Sequence, residues 1–143
     1  MPDTNVYIML NAGTLKPEVA GLLRTALAYH CVVCLAELAL GLANYHPAAR
    51  DWNAVRDSYI ELFASIPAQR LLAPDPEVWT SAGIVAGTLA GTQGFQPHQR
   101  KQCLNDAVIY LTAAKAGIPL LTANRVEFDL IEQLAPGGAV LYV

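Results

Sequence analysis

The sequence predicts an α/β domain with a mainly parallel sheet covered by helices on both faces. Three observations predict it. Short segments of strand character alternate with longer runs of helical periodicity. Those short segments are uniformly apolar, as strands buried on both faces are. No repeat, linker or low-complexity stretch divides the 143 residues, so 1–143 reads as a single domain.

The elements follow in order. Pro17 suits a first helical turn, and Val19, Leu22, Leu23 and Leu27 recur at helical spacing over Glu18–Leu27. Tyr29–Val33 is short, β-branched and apolar, and reads as a strand. A helix is expected from about Leu35 to Tyr45, ended by His46-Pro47, because the residue before proline is driven out of the α region. Another is expected from about Ala48 to Ala64, with Trp52, Val55, Tyr59, Leu62 and Phe63 as its buried side. Arg70–Leu72 reads as a strand. Asp75 caps the next helix with Pro76 in its first turn, and that helix runs to about Thr92. Gly94–Pro97 interrupts the chain, a helix resumes over Lys101–Ala116, and Gly117 stops it. Ile118–Thr122 is a strand, Val126–Leu134 a short helix, Pro136-Gly137-Gly138 a turn and Ala139–Val143 a last strand.

Composition limits the function classes. Charged residues make up 15% and hydrophobic ones 54%, against about 25% charged in an ordinary soluble domain. A domain this size cannot hide that apolar excess, so an exposed patch covered by another chain is expected, in a homodimer or a complex. A net charge of −3 marks no global affinity for nucleic acid. Met1-Pro2-Asp3 lacks the basic region and apolar run of a signal peptide. The uncharged stretch Val78–Phe95 holds Gly83, Gly87 and Gly91 at a spacing of four, but Thr80, Ser81, Thr88, Thr92 and Gln93 dilute it. It reads as a buried helix pressed on a neighbour, and no membrane association is expected.

Cys31 and Cys34 form a Cys-x-x-Cys that could be a redox pair or half of a zinc site. No second half exists, since Cys103 stands alone. In the run Cys31–Ala36 both read as small hydrophobes. An odd cysteine count without export predicts a reducing cytoplasm.

The informative residues are isolated carboxylates. Glu37 is the one charge between Cys31 and Ala43, and Asp106 the one charge between Gln102 and Ala114. An ionised carboxylate in apolar surroundings costs several kcal/mol unless a cation or hydrogen bonds compensate it. Asp3 at the chain start and Glu127 after a strand add to the pattern. In a parallel sheet, ligands collect beyond the carboxyl ends of strands. Glu37 follows one strand, and Asn124 and Glu127 follow another. Clustered carboxylates repel unless a hard divalent cation lies between them, and Mg²⁺ or Mn²⁺ suits all-oxygen ligands. Such a metal can polarise a phosphoryl oxygen and activate water.

Four segments then carry a family resemblance. Asp3-Thr4-Asn5-Val6-Tyr7-Ile8 looks like the opening motif of PIN domains, an aspartate ending the first strand before a helix. Val33-Cys34-Leu35-Ala36-Glu37-Leu38 resembles the second, a strand leading to a helix that bears a glutamate. Asn105-Asp106-Ala107-Val108-Ile109 resembles the third, and Leu121-Thr122-Ala123-Asn124-Arg125-Val126-Glu127-Phe128 is similar to the fourth. All four stand in family order between Asp3 and Phe128, most like VapC-type toxin ribonucleases of type II toxin–antitoxin systems.

The resemblance implies a PIN-like three-layer α/β/α domain and a Mg²⁺- or Mn²⁺-dependent endoribonuclease that hydrolyses RNA phosphodiester bonds. Asp3, Glu37, Asp106 and Glu127 are the implied catalytic acids. Asp3, Glu37 and Asp106 are the principal metal ligands, and Asn124 and Glu127 both stand at the variable fourth position. Thr4 and Thr122 match small hydroxyl positions that orient the acids or a water, and Asn5 would cap the following helix. RNA is the implied substrate, with a homodimer and a small antitoxin as partners. An RNA-processing nuclease without antitoxin, or a weakly active interaction scaffold, is the alternative. The chain departs from the pattern in having only Met1 and Pro2 before Asp3. Pro2 also lacks the N–H of a central strand, so either the first strand is almost absent, with Asp3 less rigidly held, or the true chain starts upstream of Met1. Arg100, Lys101 and Arg125 are candidate RNA contacts, with His98 near the first two. His30 and His46 lie outside the four segments and read as structural.

Overall fold

The computed structural model describes residues 1–44 and 48–143. The elements are α1 (Thr4–Asn11), α2 (Pro17–Thr25), β1 (His30–Cys31), α3 (Val32–Asn44), α4 (Trp52–Ser65), β2 (Leu71–Leu72), α5 (Pro76–Gln93), α6 (Pro97–Lys115), β3 (Leu120–Thr122), α7 (Arg125–Leu134) and β4 (Val140–Tyr142). A single 3-10 turn, Ala68–Arg70, precedes β2. The expected helix end at Tyr45 and its stop at His46-Pro47 lie outside the described residues, as does the reading of His46.

Local chemistry sets most boundaries. Asp75 caps α5 by accepting the Val78 N–H at 3.0 Å, with Pro76 in the first turn. Gly94 ends α5 at φ 65°, a left-handed cap that only glycine adopts without strain. Gly117, also at φ 65°, follows the end of α6. Helix α6 starts four residues earlier than Lys101, at Pro97, whose missing N–H is harmless in a first turn.

The strands are shorter than the sequence suggests. Val32 and Val33, read as strand, already belong to α3, because the Leu- and Ala-rich run after them carries the helix back to Val32. The strands pair as two separate parallel ladders, β1 with β2 and β3 with β4, in register His30↔Leu71 and Leu121↔Leu141. Pro2 adds an isolated parallel bridge to Leu121. The molecule is therefore α/β and mostly helical, and among the described residues the strands form two small parallel ladders that do not show the expected three-layer core around one central sheet.

The core lies around α6, which buries Cys103, Ala107, Val108, Ile109, Tyr110 and Ala113. Ala82 and Ala86 of α5 let the two helices approach closely. A second, smaller cluster joins Val6, Leu15, Ala20 and Leu121. Helix α4 turns Tyr59, Leu62 and Phe63 toward the main core, as expected, yet none of its residues is fully buried. Cys31 and Cys34 are buried and free, as small hydrophobes would be.

Helix α5 presses on α6 as expected, but through Ala82 and Ala86 rather than through its glycine stripe. A Cβ built on Gly83, Gly87 or Gly91 meets nothing within 4 Å, so among the described residues the glycine face of α5 presses on no neighbour in the chain. Among the described residues no helix is long and apolar enough to cross a membrane.

Candidate functional site

Asp3 is held more firmly than the short N-terminus predicts. Its N–H donates to Leu121 O at 2.8 Å, and the Leu121 N–H donates to Met1 O at 2.8 Å. In a parallel ladder alternate residues bond to a given neighbour. The bonds to β3 therefore use Met1 and Asp3, and the missing N–H of Pro2 costs that pairing nothing. Asp3 is also the cap of α1, its Oδ1 accepting the Thr4 N–H at 2.7 Å. Asn5, expected in that role, is one residue inside the helix and exposed.

From Asp3 a run of donors leads across the site. The Thr122 hydroxyl, on the last residue of β3, donates to Asp3 Oδ2 at 2.8 Å. Thr122 Oγ1 in turn accepts the Asn124 N–H at 3.0 Å. The Thr4 hydroxyl donates to Glu37 Oε2 at 2.5 Å, and Asn105 Nδ2 donates to Glu37 Oε1 at 2.7 Å. Asp3 and Glu37 thus have both carboxylate oxygens held by donors.

Asp106 differs. Its side chain is 6% exposed, and Oδ2 is a buried side-chain oxygen without a hydrogen-bond partner among the described residues. Burial, then the charges of Asp3, Glu37 and Glu127, push its carboxyl up to about 8. Burial also raises Asp3, against the opposing hydrogen bonds of Thr122 and Thr4 and with help from the Glu37 charge. Four acids on α1's cap, α3, α6 and α7 therefore share one field. Among the described residues, no three His, Cys, Asp or Glu side chains form a ready-made ligand group. The acids lie within coulombic reach of one another without meeting as preformed ligands.

The other expected residues are dispersed. Asn124 begins α7 without a side-chain capping bond. Arg125 lies over the Tyr142 ring, 4.2 Å from its centroid. Arg100 is exposed and donates from Nε to Phe95 O at 2.9 Å, and His98 is exposed beside it. Lys101, one helical turn before Asn105, lines an apolar groove of about 490 Å³ with Leu40, Pro74 and Trp79, and that groove opens on Glu37 and Asn105. His30 pairs through Nδ1 with the Tyr7 hydroxyl, a structural contact as expected. Asn105 is the site residue that sequence reasoning missed. Its signal was a carboxamide beside Asp106 in a helix whose next four residues are all buried and apolar.

No family model matches the chain, and no curated protein matches it. Solved structures do. FitAcB from Neisseria gonorrhoeae is similar at 22% identity and a TM-score of 0.67, over 98% of this chain and 94% of that one. VapBC-1 from nontypeable Haemophilus influenzae is similar at 21% identity and a TM-score of 0.68, over 99% and 96%. VapBC2 from Rickettsia felis, bound to a DNA fragment from their promoter, is similar at 17% identity and a TM-score of 0.63, over 100% and 97%.

These findings correct the sequence-based family assignment. The matched FitAcB and VapBC structures are 17–22% identical to this chain, and a likeness at that level does not establish a PIN-domain nuclease. With no family model to carry it, the PIN assignment and its VapC-type refinement are withdrawn. At these identities the likeness shows the fold alone, and the fold is one found in chains of toxin–antitoxin complexes.

Proposed function

We propose that the chain is a Mg²⁺- or Mn²⁺-dependent endoribonuclease that works as the toxic half of a toxin–antitoxin pair. One observation carries the reading: four acids from four elements share a field, and the buried Asp106 Oδ2 has no hydrogen-bond partner in it. A buried polar oxygen without a partner needs an explanation, and a bound cation is one. An all-oxygen donor set of Asp3, Glu37, Asp106 and Glu127, with Asn124 at the margin, suits a hard divalent cation. Such a cation supplies Lewis acidity at a phosphoryl oxygen and a water of lowered pKa.

The chain's own residues do the rest. Thr122 and Thr4 fix the orientation of Asp3 and Glu37, and a cation would draw the acids together from there. Lys101, beside Glu37, offers a cation to a phosphate of the RNA strand. Arg125, exposed at the start of α7 between Asn124 and Glu127, can serve the same purpose, whereas Arg100 lines a separate groove beside Gly87. The apolar groove, with Leu40 and Trp79 exposed in it, suits a covering partner protein, as a chain that works within a complex would need.

A second reading is favoured by the comparisons: an antitoxin-like chain whose partner holds the activity. The two separate in one assay. Purified protein incubated with single-stranded RNA should cleave it only with Mg²⁺ or Mn²⁺ and stop with EDTA. Asp3→Ala and Asp106→Ala should each abolish cleavage, and Glu127→Gln should damage it less, since an amide oxygen still coordinates. Cleavage in EDTA, or cleavage that survives Asp106→Ala, overturns the proposal.

A further inference from the structure

We infer that Asn105 is the positioning residue for the Glu37 carboxylate. Glu37 is held from two sides: Thr4 of α1 donates to Oε2 at 2.5 Å, and Asn105 of α6 donates to Oε1 at 2.7 Å. Asn105 and Asp106 are successive residues of α6, set about 100° apart around the helix. One turn of α6 therefore delivers a neutral donor to Glu37 and the unpartnered acid to the buried side of the site. Neutrality matters. A lysine at this position would hold Glu37 by cancelling its charge and would compete with a cation. A carboxamide orients the oxygen and leaves the negative field intact. Glu37 is a flexible side chain on a half-exposed position, so ordering it before a cation arrives lowers the cost of binding.

This inference rests on the metal reading of the site, and two measurements on the full chain keep them apart. The first uses no metal. In the ¹H–¹⁵N spectrum of metal-free protein, the Asn105 side-chain amide should give a shifted, exchange-protected signal that collapses to an ordinary position in Glu37→Ala. The second is calorimetry with Mn²⁺ alone. Asn105→Ala should lower the affinity about tenfold, as loss of an outer-shell partner does, with the thermal midpoint near that of the unaltered chain. In a Glu37→Ala background the same change should alter affinity less than twofold, because a residue acting through Glu37 has nothing left to act on. Asn105→Gln, which keeps the carboxamide, should recover part of the loss and serves as the second variant if Asn105→Ala folds poorly. An amide signal indifferent to Glu37→Ala, or equal losses in both backgrounds, overturns the inference and leaves the metal reading standing. An intact amide signal with no Mn²⁺ bound by the unaltered chain overturns the metal reading, and with it the purpose assigned to Asn105.

Discussion

The Thr122 hydroxyl donates to Oδ2 of Asp3 at 2.8 Å, joining residues 119 positions apart, and both side chains are buried. The bond ties the end of β3 to the cap of α1. Thr122→Val keeps the shape and removes the donor, leaving a buried carboxylate oxygen and the Asn124 N–H without their partner. The expected cost is about 1–3 kcal/mol in urea unfolding at neutral pH. A neutral result would show that Asp3 draws nothing from this contact.

Asp106 sets a pH dependence. Its carboxyl is raised to about 8 by burial and by Asp3, Glu37 and Glu127, whereas an unfolded aspartate titrates near 3.8. The folded state therefore holds more protons than the unfolded one between about pH 4 and 8. Stability is greatest below pH 4 on this account and is lost as pH rises toward 8. Burial raises Asp3 in the same sense. Metal-free Asp106→Asn should consequently be more stable than the unaltered chain at pH 8, by roughly 3–5 kcal/mol. The gap should close toward pH 4. Parallel stability curves for the two proteins would contradict the assignment.

Two glycines should respond in opposite ways. Gly138 has no room for a side chain, since a Cβ there would stand 2.7 Å from the Tyr110 ring. That ring is locked by its hydroxyl, which donates to Ala135 O at 2.8 Å and accepts the Gly138 N–H at 3.0 Å. Gly138→Ala should cost about 1–3 kcal/mol through overpacking. Gly87 stands mid-helix with nothing within 4 Å of a built Cβ. Gly87→Ala should stabilise the monomer by about 0.5–1 kcal/mol. A loss on Gly87→Ala, measured in the isolated chain, would mean that a second copy presses on that face.

The groove beside Glu37 presents Leu40 and Trp79, which are 54% and 43% exposed. A protein carrying 54% hydrophobic residues should bury that groove against another chain. Light scattering should show a dimer or a heavier complex, and Leu40→Asp should shift it toward monomer without lowering the thermal midpoint. A monodisperse monomer at high concentration would count against a covered groove.

Sequence and structure agree where a boundary has a local cause. The Asp75 cap, the left-handed Gly94 and the stop at Gly117 each follow from one residue's own chemistry. Isolated charges in apolar runs were equally legible, because an unpaired buried carboxylate is too costly to be incidental. Asp106 is such a residue, whereas Glu37 is half-buried and held by Thr4 and Asn105. Strand extent was not legible: Val32 and Val33 favour a strand locally, and the long helix behind them wins. The N-terminus misled for a similar reason. Pro2 lacks the N–H of a central strand, yet Met1 and Asp3 make the bonds to β3. Asn105 escaped because a carboxamide carries no charge to betray it. The glycine spacing over Gly83–Gly91 resembled close packing, yet spacing alone cannot say whether a partner is present.

The central claim is that these acids hold a divalent cation, and Mn²⁺ calorimetry near pH 7 tests it most directly. The unaltered chain should bind Mn²⁺ and release protons to the buffer, because Asp106, raised to about 8, must give up its proton to coordinate. Titrations in two buffers of different ionisation heat would report that release. Asp106→Asn should weaken binding at least tenfold and abolish most of the proton release. Binding of equal strength in both proteins, or no binding by the unaltered chain, would contradict the account.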